Sequence, residues 1–309
     1  MSQARLRLNC MLNELKAIRN QHTIADAVEV SGFGYWSGRD VTIQFQPSGP
    51  NTGISFHVGS GSTKVVIPAT VSNRVEVPRR TNLRVGQFGV DMVEHVMAAL
   101  AGLQIDNCDI LCSSQEMPGC DGSSFTFVEA LRNSGKVEQD AVRKGLVVSR
   151  SVRVGTDESW ILAQPVSDAV EHPETVLQYN LDYGSDCVIR PQSYRLAVTP
   201  LSFEAELASA RTFVLEHEAD EMRSQGLGLR VTTDDLIVFN SDGPVGTELR
   251  FSNECARHKV LDMVGDFALS GIELIGEFEA FRAGHHLNAA LIRELLTAHN
   301  LSQSMLCCA

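Results

Sequence analysis

Val41-Thr42-Ile43-Gln44-Phe45 alternates apolar and polar residues one by one. A period of two belongs to a strand with one face buried, because successive side chains point to opposite sides. Lys64-Val65-Val66-Ile67 reads as another strand, and across 23–85 such stretches are punctuated by Gly, Pro and Asn. That is the grammar of short antiparallel strands. A helix then opens at Glu94-His95, and a strand is expected at 109–112. Pro118-Gly119-Cys120-Asp121-Gly122 marks a turn, and 123–134 reads as a second helix.

The pattern then starts again. Strands are expected at 145–154, 160–164, 175–181 and 192–198, and helices at 203–208, 219–225, 254–270 and 286–296. Further strands near 235–239 and 276–283 fall between those helices. Two blocks of strands followed by helices imply two similar α+β halves, each with a mostly antiparallel sheet, rather than a parallel βαβ fold. The expected boundaries are a charged, weakly helical extension over 1–22, α+β domains over 23–142 and 143–300, and a tail over 301–309. A chain of 309 residues can build two such cores.

The formal net charge of −12 weighs against general affinity for nucleic acid or an anionic membrane. Residues 1–20 mix charges and have no continuous apolar core, and no stretch approaches the length of a membrane span. The expectation is a chain with no secretory leader and no stable membrane span. Its eight cysteines (Cys10, Cys108, Cys112, Cys120, Cys187, Cys255, Cys307 and Cys308) form no CxxC pair. They read as thiols of a reducing, cytoplasmic setting.

Chemistry concentrates in three fragments. In Arg257-His258-Lys259-Val260-Leu261-Asp262-Met263-Val264-Gly265-Asp266, His258 and Asp262 are four apart and stack on one face of a helix. An imidazole and a carboxylate so placed can both grip a divalent ion, and mixed nitrogen and oxygen donors suit zinc. The same spacing also describes a solvated charged face with a structural His. Asp266, about 12 Å from His258 at helical rise, is too far to share the ion but is placed to orient a neighbour.

Upstream, Asp91-Met92-Val93-Glu94-His95 opens an apolar helical stretch with Asp91 as candidate N-cap. His95 would complete a two-His, one-Asp set that leaves a fourth position for water. Glu94, beside a ligand without being one, stands where a base for that water belongs. Glu94 can equally be a helix-dipole partner, and His95 a partly buried, hydrogen-bonded ring. Gly284-His285-His286-Leu287-Asn288 delivers a His at a helix start, a side chain suited to proton transfer near neutral pH.

These fragments resemble the UDP-3-O-acyl-N-acetylglucosamine deacetylases of bacterial lipid A synthesis over roughly residues 24–300. The motifs that carry the likeness begin with Val93-Glu94-His95, Ala98-Ala99-Leu100-Ala101-Gly102-Leu103 and Ile105-Asp106-Asn107. Asp121-Gly122-Ser123-Ser124 with Phe127-Val128 follows, then Ala210-Arg211-Thr212-Phe213, residues 257–266, and Gly284-His285 with Leu287-Asn288. The resemblance implies two α+β domains with their helices sandwiched between two sheets. It implies that His95, His258 and Asp262 hold zinc, with iron(II) as the alternative. It makes Glu94 the general base and His285 the general acid, with Asp266 behind that His. Lys259 and Thr212 would hold the polarised carbonyl and its oxyanion.

The substrate so implied is a UDP-linked acylated amino sugar whose acetamide is hydrolysed to release acetate. Arg282 matches a basic position used for the diphosphate, and Tyr183 an aromatic that can face the uracil. Phe213, beside Thr212, falls with the substrate-binding residues. Read without the resemblance, Lys259 and Arg282 are equally solvated charges. Thr212 is then a loop hydroxyl bonded to its own backbone, and Tyr183 a core aromatic.

Three departures stand out. Where the family has Gly-Val-Gly-Leu-His-Ser/Thr-Gly, this chain has Gly32-Phe33-Gly34-Tyr35-Trp36-Ser37-Gly38. Arg230-Val231-Thr232 replaces a Gly-Gly-Ser beside the expected acyl passage, and Gly184-Ser185 replaces a His-Pro. These keep open a deacetylase of another acetylated sugar or nucleotide sugar. A non-catalytic homologue is the third reading, although one would have little use for both an acid and a base.

Overall fold

The computed structural model describes residues 15–59, 61, 64–166, 174–299 and 301. Strands β1 (Leu15–Ile24), β2 (Val28–Phe33), β3 (Asp40–Pro47), β4 (Ile54–Val58) and β5 (Val65–Pro68) come first. In β3, Val41, Ile43 and Phe45 are buried while Thr42 and Gln44 are partly exposed, as the alternation requires. Short β6 (Arg74–Val75), β7 (Asn82–Val85) and β8 (Phe88–Val90) form their own small sheet and lead into helix α1 (Glu94–Gly102). Strand β9 (Cys108–Cys112) and helix α2 (Phe125–Asn133) follow.

Next come β10 (Lys136–Val147), β11 (Val152–Gly155), β12 (Trp160–Gln164), β13 (Thr175–Leu181) and β14 (Gln192–Ala197). Helix α3 (Pro200–Glu206), β15 (Phe213–Leu215) and α4 (Glu216–Ser224) precede β16 (Ile237–Asn240) and β17 (Gly243–Pro244). Helix α5 (Glu254–Ala268), β18 (Glu273–Phe281) and α6 (His285–Ala298) complete the described elements.

The fold is α+β. One sheet has the order β2-β3-β9-β4-β5, antiparallel except where β4 meets β9. A seven-stranded sheet runs β1-β10-β18-β12-β11, with β13 and β14 added beside β18. Its β10–β18 and β13–β18 pairings are parallel and the others antiparallel. Parallel neighbours need long crossovers, and β4 reaches β9 only through α1. Helix α2 packs on β2, α5 on β13 and β14, and α6 on β11 and β12, while α1 packs against both α2 and α5. Helices α1, α2, α5 and α6 therefore lie between the two large sheets, while α4 packs on the small sheet β15-β16-β17, and one apolar cluster runs through the three layers.

Several local expectations give way. Residues 15–22 are not a helical extension but most of β1, antiparallel to β10 from Leu15–Leu146 to Ile24–Lys136. Their polar character misleads because it is paired: Arg19 Nη1 meets Asp106 Oδ2 at 2.6 Å, and buried Gln21 bonds Asn51 at 2.7 Å. Residues 1–14, and Cys10 among them, lie outside the described residues, as do 302–309 with Cys307 and Cys308. The strand expected at 145–154 is two strands. Strand β10 starts at Lys136, where pairing with β1 replaces the apolar face that would have marked it.

Asp91 does not cap α1. The N-cap is Val93 with no side-chain bond, and the Asp91 carboxylate is taken by Arg84 at 2.6 Å. Helix α3 starts at Pro200 rather than 203, because Thr199 and Ser202 form a capping box with Pro in the first turn. Helix α4 starts at Glu216 rather than 219, where the Glu218 carboxylate reaches back to the Leu215 N–H. The five described cysteines are free, and no helix of the described residues is long and apolar enough to cross a membrane.

Candidate metal centre and acid–base site

Helix α5 carries His258 and Asp262 one turn apart, and the first turn of α1 brings His95 against them. Gly265 lets the helices approach: a Cβ there would lie 2.0 Å from the Glu94 carbonyl oxygen. His258 Nε2 is 3.4 Å and His95 Nε2 3.8 Å from Asp262 Oδ1, and the two rings stand nearly perpendicular with centroids 5.0 Å apart. The candidate donor atoms of the three residues all lie within 4.8 Å of one another, and all three residues are buried.

Two observations show that these residues fit a metal ion. Asp262 Oδ1 is buried and has no hydrogen-bond partner, an expensive state for a carboxylate oxygen unless a cation meets it. His258 Nδ1 lies 3.0 Å from the Ala210 carbonyl oxygen, which only accepts. The ring proton must therefore sit on Nδ1, and the Nε2 lone pair faces His95 and Asp262. Burial, then the neighbouring His258, pushes His95 down to about 3, and burial likewise lowers His258, so both rings are held neutral, the form in which an imidazole can bind a metal. Burial would raise Asp262, but Lys259, His258 and His285 outweigh it and hold the carboxyl well below its ordinary range. This buried His95–His258–Asp262 group can hold a metal ion.

Glu94 and His285, the candidate base and acid, adjoin it. Burial pushes Glu94 up to about 7, with the His285 charge opposing. Glu94 Oε2 accepts the Thr81 N–H at 3.0 Å. His285 opens α6, and its Nδ1 lies 2.7 Å from Asp266 Oδ2. Burial alone would lower His285, but the Asp266 and Asp262 carboxylates outweigh it and hold the ring up at about 9. Asp266 is 1 % exposed and also accepts Asn288 Nδ2 at 2.8 Å and the Thr81 hydroxyl at 2.6 Å. Lys259 Nζ donates to Asp262 Oδ2 at 2.8 Å, so it is an ion-pair partner rather than a solvated charge.

A cavity of about 690 Å³ opens onto Glu94, His95, His258, Asp262 and His285. Thr212, Phe213, Tyr183, Lys259 and Arg282 line the same cavity. The Phe213 ring packs edge-on against Tyr183 at 6.3 Å and His258 at 6.4 Å, and Tyr183 is 46 % exposed rather than a core aromatic. Arg282, at a left-handed φ of 50°, is paired with Asp182 at 3.1 Å. Beyond them the wall turns apolar, with Val214, Met222, Leu227, Val231 and Val238.

Trp36 reaches this cavity, its ring covered by the Arg80 guanidinium at 3.9 Å. Arg230 does not put a charge into the passage. Its guanidinium pairs with Asp40 at 2.5 Å over the Phe33 ring, leaving Val231 to face the cavity. A second cavity of about 190 Å³ beside Arg19 and Asp106 is lined by none of Glu94, His95, His258, Asp262 and His285.

Two residues that hold Glu94 and Asp266 from behind the cavity escape sequence reading. Asn288 sits in a fragment singled out above, but nothing there gave it a partner. Thr81 precedes β7 in a segment with no chemical signature of its own. Its links to Glu94 and Asp266 are made only in three dimensions.

The family model for UDP-3-O-acyl N-acetylglycosamine deacetylase matches residues 21–297. The UDP-3-O-acyl-N-acetylglucosamine deacetylase of Psychrobacter arcticus is 36% identical over 294 residues, covering 94% of this chain and 90% of that protein. The deacetylases of the same name from Anaeromyxobacter sp. and Xylella fastidiosa are 35% and 34% identical. The first match covers 90% of this chain and 88% of that protein, the second 89% and 90%.

Proposed function

The chain belongs to the UDP-3-O-acyl N-acetylglycosamine deacetylase family, and from that membership we propose that it hydrolyses the acetamide of a UDP-linked 3-O-acyl-glucosamine, a step of lipid A synthesis. The observation that carries this reading is the orphaned Asp262 Oδ1. It faces two neutral His rings in a cavity that also holds a buried carboxylate and a carboxylate-backed His. A zinc ion held by His95, His258 and Asp262 would supply Lewis acidity, making a water acidic and polarising the amide carbonyl.

Glu94 takes a proton from the attacking water as its oxygen bonds to the acetamide carbon. Thr212 and Lys259 border the place where the oxyanion forms. His285, cationic against Asp266, gives its proton to the sugar nitrogen as the carbon–nitrogen bond breaks. Acetate and the free amine leave. Arg282 and Tyr183, on the same wall, are the groups for the diphosphate and the uracil ring.

The test is zinc content of the purified protein together with acetate release from the UDP-linked 3-O-acyl substrate. About one zinc per chain and acetate release are expected. A zinc-loaded protein inert on this substrate would overturn the reading. Release only from a UDP-sugar lacking the acyl group would favour the other nucleotide-sugar reading, which Trp36 on the cavity wall supports.

A further inference from the structure

Thr81 is fully buried, immediately before β7. Its N–H donates to Glu94 Oε2 at 3.0 Å, and its hydroxyl donates to Asp266 Oδ1 at 2.6 Å. Its carbonyl accepts the Val93 N–H at 3.1 Å, at the start of α1. One residue thus touches the carboxylate on the base side and the carboxylate behind the acid. The other Asp266 oxygen, Oδ2, is already occupied by His285 Nδ1 and Asn288 Nδ2.

We infer that Thr81 is a positioning residue for the hydrolysis, its hydroxyl fixing the Asp266 carboxylate so that His285 is held facing the cavity. The inference rests on the deacetylase reading. Its physical basis is the geometry of a buried carboxylate. With donors on Oδ2 alone, the group can turn about its Cβ–Cγ bond and offer His285 a different lone pair. Asp266 is buried from bulk solvent, which cannot freely replace a missing donor on Oδ1, and bonds to charged groups are the stronger kind. Thr81 makes no contact with the cavity itself, so its removal should act on turnover and not on substrate affinity.

The experiment compares Thr81→Val and Thr81→Ser, each with and without Asp266→Asn. Thr81→Val should lower kcat on the order of tenfold with KM unchanged, while Thr81→Ser keeps the donor and stays within about threefold. In the Asp266→Asn background Thr81→Val should cost less than about twofold, because the group through which Thr81 acts is already altered. An equal loss in both backgrounds, or no loss in the first, overturns the inference. If Val is not accepted in the fold, Thr81→Ala against Thr81→Ser makes the same comparison, since the two differ by one hydroxyl.

If the unaltered chain releases no acetate, the deacetylase reading fails and the inference is read from the His285 ring instead. In metal-free protein labelled with 15N-histidine, Thr81→Val should move the Nδ1 proton signal that Asp266→Asn also moves. Thr81→Ser should leave it in place. A signal indifferent to Thr81→Val ends the positioning role whatever the activity.

Discussion

Glu94 and His285 meet at one cavity from helices nearly two hundred residues apart, and the proposed reaction asks opposite things of them: an ionised carboxyl and a charged imidazole. Glu94→Gln keeps an acceptor for the Thr81 N–H and leaves His95, His258 and Asp262, the candidate metal-holding side chains, untouched. It should retain metal while kcat falls by about 10²- to 10⁴-fold. Turnover within a few-fold of the unaltered chain would return Glu94 to a helix-dipole role. For His285 the sign is fixed by what holds it up. Burial alone would lower its pKa, but carboxylates hold it up at about 9, so activity should be lost as pH climbs through that value. Asp266→Asn removes the leading charge, lowers the His285 pKa, and should move the alkaline limb of the rate profile down by about a unit or more. An unmoved limb would show that His285 is not the group titrating there. At this scale the sequence was legible where spacing carries geometry: His258 with Asp262, and Glu94 beside His95, come together as their fragments suggest. Thr81 was not legible, because its bond to Glu94 uses a backbone N–H that nearly every residue possesses.

Helices α1 and α5 are read correctly from periodicity, but the closeness of their packing is not a property of either one alone. Gly265 decides it. Replacing Gly by Ala inside a helix ordinarily gains about 1 kcal/mol in propensity. Here the new Cβ would fall 2.0 Å from the Glu94 carbonyl oxygen and 3.1 Å from the Ala98 nitrogen, both backbone atoms that move only with their helix. Overpacking of that kind costs about 1–3 kcal/mol and outweighs the propensity. Gly265→Ala should therefore lower the urea midpoint and weaken metal affinity together, because parting the helices draws His95 away from Asp262. A variant as stable as the parent, with unchanged metal affinity, would show the helices free to slide. Element boundaries were less legible than element types. Strand β10 hid in a charged run, and the capping pair at Thr199 and Ser202 was readable but passed over.

For the whole molecule, alternation and its restart were enough to expect α+β layers, and the main helices do lie between two sheets. What could not be read was which side chains face the cavity. Trp36 and Val231 face it and Arg230 does not, so any narrowing of an acyl passage there would come from Trp36 and Val231. Trp36→Ala should raise kcat/KM for long acyl chains over short ones by several-fold, since each methylene newly buried is worth about 0.8 kcal/mol. A ratio that does not change with chain length would place the acyl group elsewhere.

Strand β10 pairs with β18 only from Gly145 to Val147, and over 136–144 its ladder partner among the described residues is β1. A shortened chain beginning at Ala25 would thus lose more than one edge strand. It would leave a run of unsatisfied backbone donors and acceptors open to other molecules, with Val137 and Val142 already at the surface. Asp106 would lose its Arg19 partner as well. Such a chain should self-associate, and light scattering would rise with concentration where the full chain stays clear. A monodisperse sample from Ala25 onward would mean that the ribbon can close on itself.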